Sequence, residues 1–552
     1  MKKILYKFFL ASAIILMASS CEDMQVTNTD PNNPASVPSN MLMSGTEKKI
    51  MDYVYDNWFS GRQCLVYSQY WAQRNYTEED RYQIRESVNN NYFNMLYTLV
   101  ANLDKVIELN TNESTSTISA NYGDNENQIA AARILKAWLL SVMTDTWGSI
   151  PYSEAGQLTD GVYYPKYDDQ TEIYADLIKE LTEAAAMIDP SQDAFTSGDM
   201  IFKGDASKWK KFANSLKCRL AIHISKVDPN WKTYIAEALS SGVFESNADN
   251  AVFHYSKTAP EYSQFYEGFY VEARNDFTIS RPFMDILKGQ ADTLNVKTHP
   301  WEGVEDPRLE VYSGGPRTLA ADNNSTKVGN RYYKNGDYYI GMPYGIPSNN
   351  VKSEYRNIAP NLYAVQPLVL QEDFPVPLMT YAELKFILSE YNGYSVAEYK
   401  EGVEASVKYW YGLAGETPTD LETYVDKVSQ TVNAETVALQ KYIDLYMNGT
   451  EAWVEYRRTG YPTQLLKPEE ISVISMGDDA TDPTKTTPIK FTTLSDTKGD
   501  ILARVKYPTN ESTLNGDNFN AAVAKLDDGT NNYYTKMFWD VRTTSNPHPA
   551  NK

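Results

Sequence analysis

Residues 92–110 read YFNMLYTLVANLDKVIELN, and the apolar positions Phe93, Leu96, Val100, Leu103 and Ile107 recur at intervals of three and four. That spacing gathers the apolar side chains into one stripe, so the segment is expected to be a helix with a single buried face. A stripe of this kind is stable only against another. The chain supplies one next: Gln128 to Trp147 keeps the spacing with Ile134, Trp138 and Val142, carries Ala130, Ala131 and Ala132 for close packing, and stops at Gly148. A third helix is expected from Thr171 to Ile188, with Ile173, Leu177 and Leu181 on one side and Asp189-Pro190 closing it. Others read at Ala206 to Lys226, Arg281 to Lys288, Tyr381 to Tyr391 and Val432 to Met447. The fold class is therefore mainly α, built of tetratricopeptide-like helical hairpins without a strict repeat period, with a loop-rich, partly β face.

Between about Ser246 and Pro375 helical periodicity fades, and Gly, Pro, Asn and Tyr accumulate. Structured loops of that length are usually functional. Residues 467–500, with Asp479, Thr481, Asp482 and Thr484, read as a polar, exposed excursion. The expected organisation is a signal peptide (1–20), a flexible tether (21–39) and one helical domain (40–552) interrupted by loop-rich insertions around 246–375 and 467–500.

The compartment follows from the N-terminus. Lys2, Lys3 and Lys7 precede an apolar run from Phe8 to Ala18, too short to span a bilayer and suited to a signal-peptide core. The run ends in Ala18-Ser19-Ser20-Cys21, which resembles a bacterial lipoprotein signal whose cysteine, Cys21, becomes the lipidated first residue; a plain secretory cleavage is the alternative. Glu22 and Asp23 resemble a surface-export signal of Bacteroidetes lipoproteins, and the Asn- and Pro-rich stretch to residue 39 reads as a linker. No later segment is apolar for long enough to cross a bilayer. Cys64 and Cys218 stand in no metal or redox spacing and are expected as buried free thiols.

Charge and motif content narrow the function. The chain has 72 acidic and 51 basic residues, a net charge of −21, and no basic run, which argues against nucleic-acid binding. Cleavage after residue 20 removes three lysines and takes −21 to −24. No HExxH, GxSxG, Walker or GxGxxG motif appears, and the four histidines hold no metal-ligand spacing. No catalytic residue, metal site or cofactor is expected. The Asp-containing stretches at Asn121 to Glu126 and Asp478 to Asp482 do not fit the calcium-loop pattern and read as solvated loops.

Several segments, in order along the chain, carry a resemblance: Asp30-Pro31-Asn32; Ala131-Ala132-Arg133 leading into Asp145-Thr146-Trp147-Gly148-Ser149-Ile150-Pro151-Tyr152; Gly204-Asp205-Ala206-Ser207-Lys208-Trp209; Asp306-Pro307-Arg308-Leu309; Tyr381-Ala382-Glu383-Leu384; Asn448-Gly449-Thr450-Glu451-Ala452-Trp453 with Tyr456-Arg457-Arg458-Thr459-Gly460-Tyr461-Pro462; and Arg504-Val505-Lys506-Tyr507-Pro508. Together they resemble the SusD/RagB family of outer-membrane nutrient-binding lipoproteins. The resemblance implies a scaffold of four tetratricopeptide-like hairpins and a lid-like association with a SusC-like TonB-dependent transporter. It also implies capture of glycans, or in some members peptides, at the cell surface without chemistry. Trp147, Trp209 and Trp453 are expected in the core, and Arg457 and Arg458 in structural ion pairs or helix caps.

Tyr outnumbers Phe by 42 to 18, and rings with a polar tip suit half-wet binding faces. A ligand site is expected where aromatics leave helical register among polar neighbours. Three clusters qualify: Tyr70 to Tyr82, with Trp71 and Tyr76 as stacking platforms and Arg81 and Tyr82 beside them; Glu272 to Phe277, with Arg274, Asn275 and Asp276 as hydrogen-bonding groups; and Tyr338 to Tyr344, with Tyr344. The function expected is a lipid-anchored protein on the outer membrane's extracellular face that passes oligosaccharides to the transporter. A peptide receptor of the same design, or a structural or adhesive surface protein, are the alternatives.

Overall fold

The computed structural model describes residues 37–551 apart from 158–160, 314–326, 329–330, 333–338, 340, 352–366 and 477–485. The signal peptide, Cys21 and most of the tether therefore lie outside the described residues, as do Asp479, Thr481, Asp482 and Thr484.

Six helices follow one another through the first half: α1 (Ser39–Val54), α2 (Glu86–Thr111), α3 (Asn125–Trp147), α4 (Gln170–Met187), α5 (Ala206–His223) and α6 (Trp231–Ser241). Each packs against the next in sequence, the arrangement of stacked helical hairpins. The sequence explains where they start and stop. Asp124 caps α3 by accepting from the Asn127 backbone N–H at 2.9 Å, and Gly148 ends it at φ +86°, a conformation a side chain would strain. Asp205 caps α5 in the same way. The stripe that decided the fold is inside: Phe93, Leu96, Val100 and Leu103 are all buried, while Ile107 is half-buried at the rim.

After the loop-rich middle, which carries the short helices α7 (Arg281–Leu287) and α8 (Arg308–Ser313), a second helical group forms. It comprises α9 (Tyr381–Tyr391), α10 (Val396–Leu413), α11 (Leu421–Val428), α12 (Ala434–Asp444) and α13 (Gly449–Thr459). Helix α9 packs on α10, on α12 and on α5, which joins the two groups into one core. Trp147, Trp209 and Trp453 are fully buried in it. Arg457 lies with its guanidinium 3.5 Å from the Trp453 ring centroid and donates to the carbonyls of Asp145 and Ala503. Arg458 pairs with Glu390 and Glu455. Cys64 and Cys218 are buried and unpaired.

Three details differ from the sequence reading. Helix α1 begins at Ser39, at the end of the presumed tether, because Met43, Ile50, Met51 and Val54 form a buried stripe. Helices α6 and α10 were hidden by the exposed residues between their few buried ones. The segment 467–500 is not a wholly exposed excursion: β3 (Ile471–Met476) and β4 (Thr486–Lys490) pair antiparallel, and Val473, Ile489 and Phe491 are buried. Period-two alternation over so few residues is easily masked by polar neighbours.

Candidate functional site

Strands β1 (Trp71–Gln73) and β2 (Phe277–Ile279) are far apart in sequence and pair antiparallel, Trp71 opposite Ile279 and Gln73 opposite Phe277. The ladder continues one step further, with the Arg74 N–H donating to the Asp276 carbonyl at 2.7 Å. Two of the three expected clusters are thereby brought side by side, as paired loops leaving a common edge.

A third segment, the turn after α1, completes the face. The Asn57 amide donates to the Arg274 carbonyl, and Gly268 packs so closely that a Cβ there would lie 2.4 Å from Asn57 Nδ2. Only glycine fits at 268. Trp58, half-buried, stands next to both arginines: the Arg62 guanidinium is 4.6 Å from its ring centroid and that of Arg274 is 5.9 Å. Arg62 is buried, lies 5.0 Å from the Phe277 ring centroid, and is held by Asp276 at 3.0 Å.

Beside Trp58 opens a cleft of about 930 Å³ whose walls include Tyr53, Asp52, Asp56, Tyr262 and Glu267. Tyr262, Tyr266 and Tyr270 form a ladder of rings, 5.0 and 5.4 Å between successive centroids, the first just before a helical turn that carries the other two and widens after Tyr266. Tyr270 is 40% exposed, and Tyr76, at φ +55°, is 60% exposed. Exposed rings beside amides, carboxylates and guanidinium groups can stack on an apolar ligand face while hydrogen-bonding its edge. Burial pushes Asp56 up to about 7, although the N–H groups of Ser60, Phe59 and Trp58 oppose it.

The expected site residues divide sharply. Arg274, exposed, lies beside Trp58, half-buried Asn275 follows it in sequence, and Tyr76, exposed, stands two residues after the Arg74–Asp276 pairing. Arg81 sits to one side, donating from Nε to the Thr492 carbonyl at 3.0 Å. Asp276 is buried and committed to Arg62. Trp71, expected as a stacking platform, and Tyr82 and Tyr344, expected to meet the ligand, are core residues instead, a correction to the sequence reading. Trp71 packs among Phe265, Phe269 and Phe277 and donates to the Tyr446 hydroxyl at 3.1 Å. Tyr82 and Tyr344 both pack edge-on against Phe491, and Tyr344 donates to the Val66 carbonyl at 2.9 Å. Rings outside helical register also fill cores under irregular backbone, and none of these three has a free face. Trp58 and the tyrosine ladder escaped the sequence reading; the four-residue spacing of Tyr262, Tyr266 and Tyr270 was the available signal.

Among the described residues, one group of potential metal ligands stands together: His223, Glu451 and Glu455, all buried. Their oxygens are already engaged. Glu451 accepts from His223 at 2.8 Å, and Glu455 meets Lys441 at 3.1 Å and Arg458 at 2.8 Å. Burial raises the Glu451 pKa, yet His223 and Arg219 outweigh it and bring the group to about 2. The cluster ties α5, α12 and α13 together as a buried ion network.

No described helix is long and apolar enough to cross a membrane. A family model described as "Starch-binding associating with outer membrane" (SusD-like) matches residues 31–475, and one described as "Susd and RagB outer membrane lipoprotein" matches residues 413–540. No curated protein matches the chain. Among solved structures, a chitin-binding protein superposes with a TM-score of 0.69 at 24% identity, covering 91% of this chain and 100% of its own. A chitin-binding SusD homolog from Flavobacterium johnsoniae gives 0.65 at 21%, covering 91% and 99%. A SusD homolog from Parabacteroides distasonis gives 0.67 at 19%, covering 91% and 98%. At these identities the likeness is one of fold.

Proposed function

This chain belongs to the SusD-like family, and from that premise we propose that it is a cell-surface lipoprotein that binds nutrient glycans and delivers them to a SusC-like TonB-dependent transporter. Anchoring is through Cys21 to the outer membrane, with the helical body on the extracellular side. The protein does no chemistry on its ligand; it supplies a binding face.

The observation that carries this reading is the face built by Trp58, Tyr76, Arg274 and Asn275 beside the tyrosine-lined cleft. A sugar ring offers an apolar face for stacking and a rim of hydroxyls for hydrogen bonds, and this arrangement meets both needs. The chitin-binding descriptions of two similar folds make chito-oligosaccharides the first probes to try. The helical hairpins leave a broad surface of the kind that suits a large protein partner.

The test is electrophoretic retention of the protein in gels containing chitin derivatives, starch and other polysaccharides, with a peptide library as the competing ligand class. Retention by at least one glycan, abolished by its oligosaccharides, supports the reading. Binding to peptides and to no glycan would replace it with the peptide-receptor alternative.

A further inference from the structure

Helix α1 carries a buried carboxyl group that no cation balances. Glu47 is fully buried; its Oε2 accepts the Met200 N–H at 2.7 Å, whereas Oε1 is buried with no donor. Asp199, the neighbour of Met200 in the chain, is buried too. Its carboxylate is filled by donors from the segment leading into α5 and from α5 itself. Oδ1 takes the Ile201 and Phe202 N–H groups, both at 2.9 Å, and Oδ2 takes the Gly204 N–H at 2.9 Å and the Trp209 indole N–H at 2.8 Å. Neither acid forms a salt bridge with a described residue.

The charged groups on the elements packed around the pair are turned elsewhere. Lys48 is held by Asp52 and Glu261, while Lys49, Lys203 and His254 are exposed. Asp205 caps α5, and on α2 Asp104 and Lys105 pair with Lys136 and Glu108. Two neighbouring carboxylates in a dry site without a cation do not both ionise. Asp199 is fitted as the acceptor, so the proton falls to Glu47, whose carboxyl lies within hydrogen-bonding reach of Asp199. Burial, and then the Asp199 charge, hold the Glu47 pKa well above the usual carboxylate range.

The pair joins two parts of the fold that matter to the cleft. At the start of α1 the Asn40 amide donates to the Ser197 hydroxyl at 3.1 Å, so the helix is fastened to residues 197–200 at two levels. Just beyond Glu47, the α1 residues Lys48, Lys49, Asp52 and Tyr53 line the cleft beside Trp58. We infer that Glu47 and Asp199 share one proton, and that this carboxyl–carboxylate hydrogen bond is a pH-sensitive latch positioning α1 and with it one wall of the cleft. Glu47 is then a positioning residue that touches no ligand. The link to ligand affinity rests on the glycan-binding reading; the shared proton does not. In the unfolded chain Glu47 ionises near pH ~4.3. The stability that the latch supplies is therefore complete below that pH and is lost as pH rises through the higher folded pKa.

The experiment compares the parent, Glu47→Gln and Glu47→Ala between about pH 5 and about pH 9, by melting temperature and by amide hydrogen exchange of α1. Glutamine keeps both contacts without titrating, since its carbonyl accepts the Met200 N–H and its amide donates to Asp199. The Gln variant is expected to gain about 2 °C or more on the parent across that range, with slower exchange in α1 than the parent at the alkaline end. The Ala variant should melt below the Gln variant throughout. A parent-minus-Gln infrared difference spectrum near neutral pH should show the C=O stretch of a protonated carboxylic acid. Asp56 titrates in all three proteins and cancels from these differences. For the glycan retained most strongly, parent affinity relative to the Gln variant should fall over the same range. A melting gap independent of pH, or no protonated-acid band, overturns the latch; a constant affinity ratio overturns its hold on the cleft. The melting and infrared readouts need no glycan, so failure of the glycan-binding reading is told apart from failure of the latch.

Discussion

The Arg62 guanidinium lies 4.6 Å from the centre of the Trp58 ring, so the ring bordering the cleft rests on a buried cation. Asp276 holds that cation at 3.0 Å. Replacing Arg62 with Met keeps the stem but leaves the Asp276 carboxylate buried and unpaired. Urea unfolding should show a loss of about 3–5 kcal/mol. A loss below about 1 kcal/mol would mean that the pair does not support the site.

Core rings and face rings should separate cleanly by stability. Trp71→Ala and Tyr344→Ala each empty a buried ring site and should cost about 3–5 kcal/mol. Tyr76→Ala removes an exposed ring and should fall within about 0.5 kcal/mol of the parent. Equal costs in thermal or chemical unfolding would refute the division of the aromatic clusters made from burial.

That division shows what was legible in the sequence. The helices from residue 92 to 223 are written in apolar spacing, because each buries one face against its neighbours, and their ends in caps such as Asp124 and Gly148. The face was half legible: of the residues expected there, Tyr76 and Arg274 are exposed and Asn275 half-buried, whereas Trp71, Tyr82 and Tyr344 carry the same local signature and lie inside. What separates them is tertiary, namely the pairing of β1 with β2 and the packing of Phe491 from a segment that read as exposed. Trp58 was missed for the same reason, since its neighbours Arg62 and Arg274 become neighbours only on folding.

Asp56 gives the fold a pH dependence with a defined sign. Burial raises its pKa to about 7, whereas in the unfolded chain it ionises near 4. Between about pH 4 and 7 the native state holds a proton that the unfolded state has lost, so this group's contribution to stability falls as pH rises and is constant above about 7. Asp56→Asn removes the effect. The melting-temperature advantage of the variant over the parent should widen from pH 4 to pH 7 and then level off; a gap independent of pH would contradict the assignment.

Anchoring is tested apart from binding. Cys21→Ser should abolish incorporation of labelled fatty acid and release the protein from the membrane fraction, with glycan retention of the released protein intact. Continued labelling would place the lipid elsewhere.

The most direct measurement is the affinity of the parent, Trp58→Ala and Tyr76→Ala proteins for the oligosaccharide that gives the strongest retention, taken alongside their melting temperatures. Loss of one stacking contact of about 1–1.5 kcal/mol corresponds to roughly tenfold in affinity. The account predicts about that loss in each variant, with the melting temperature of Tyr76→Ala unchanged. Undiminished affinity in both would contradict the placement of the glycan on this face.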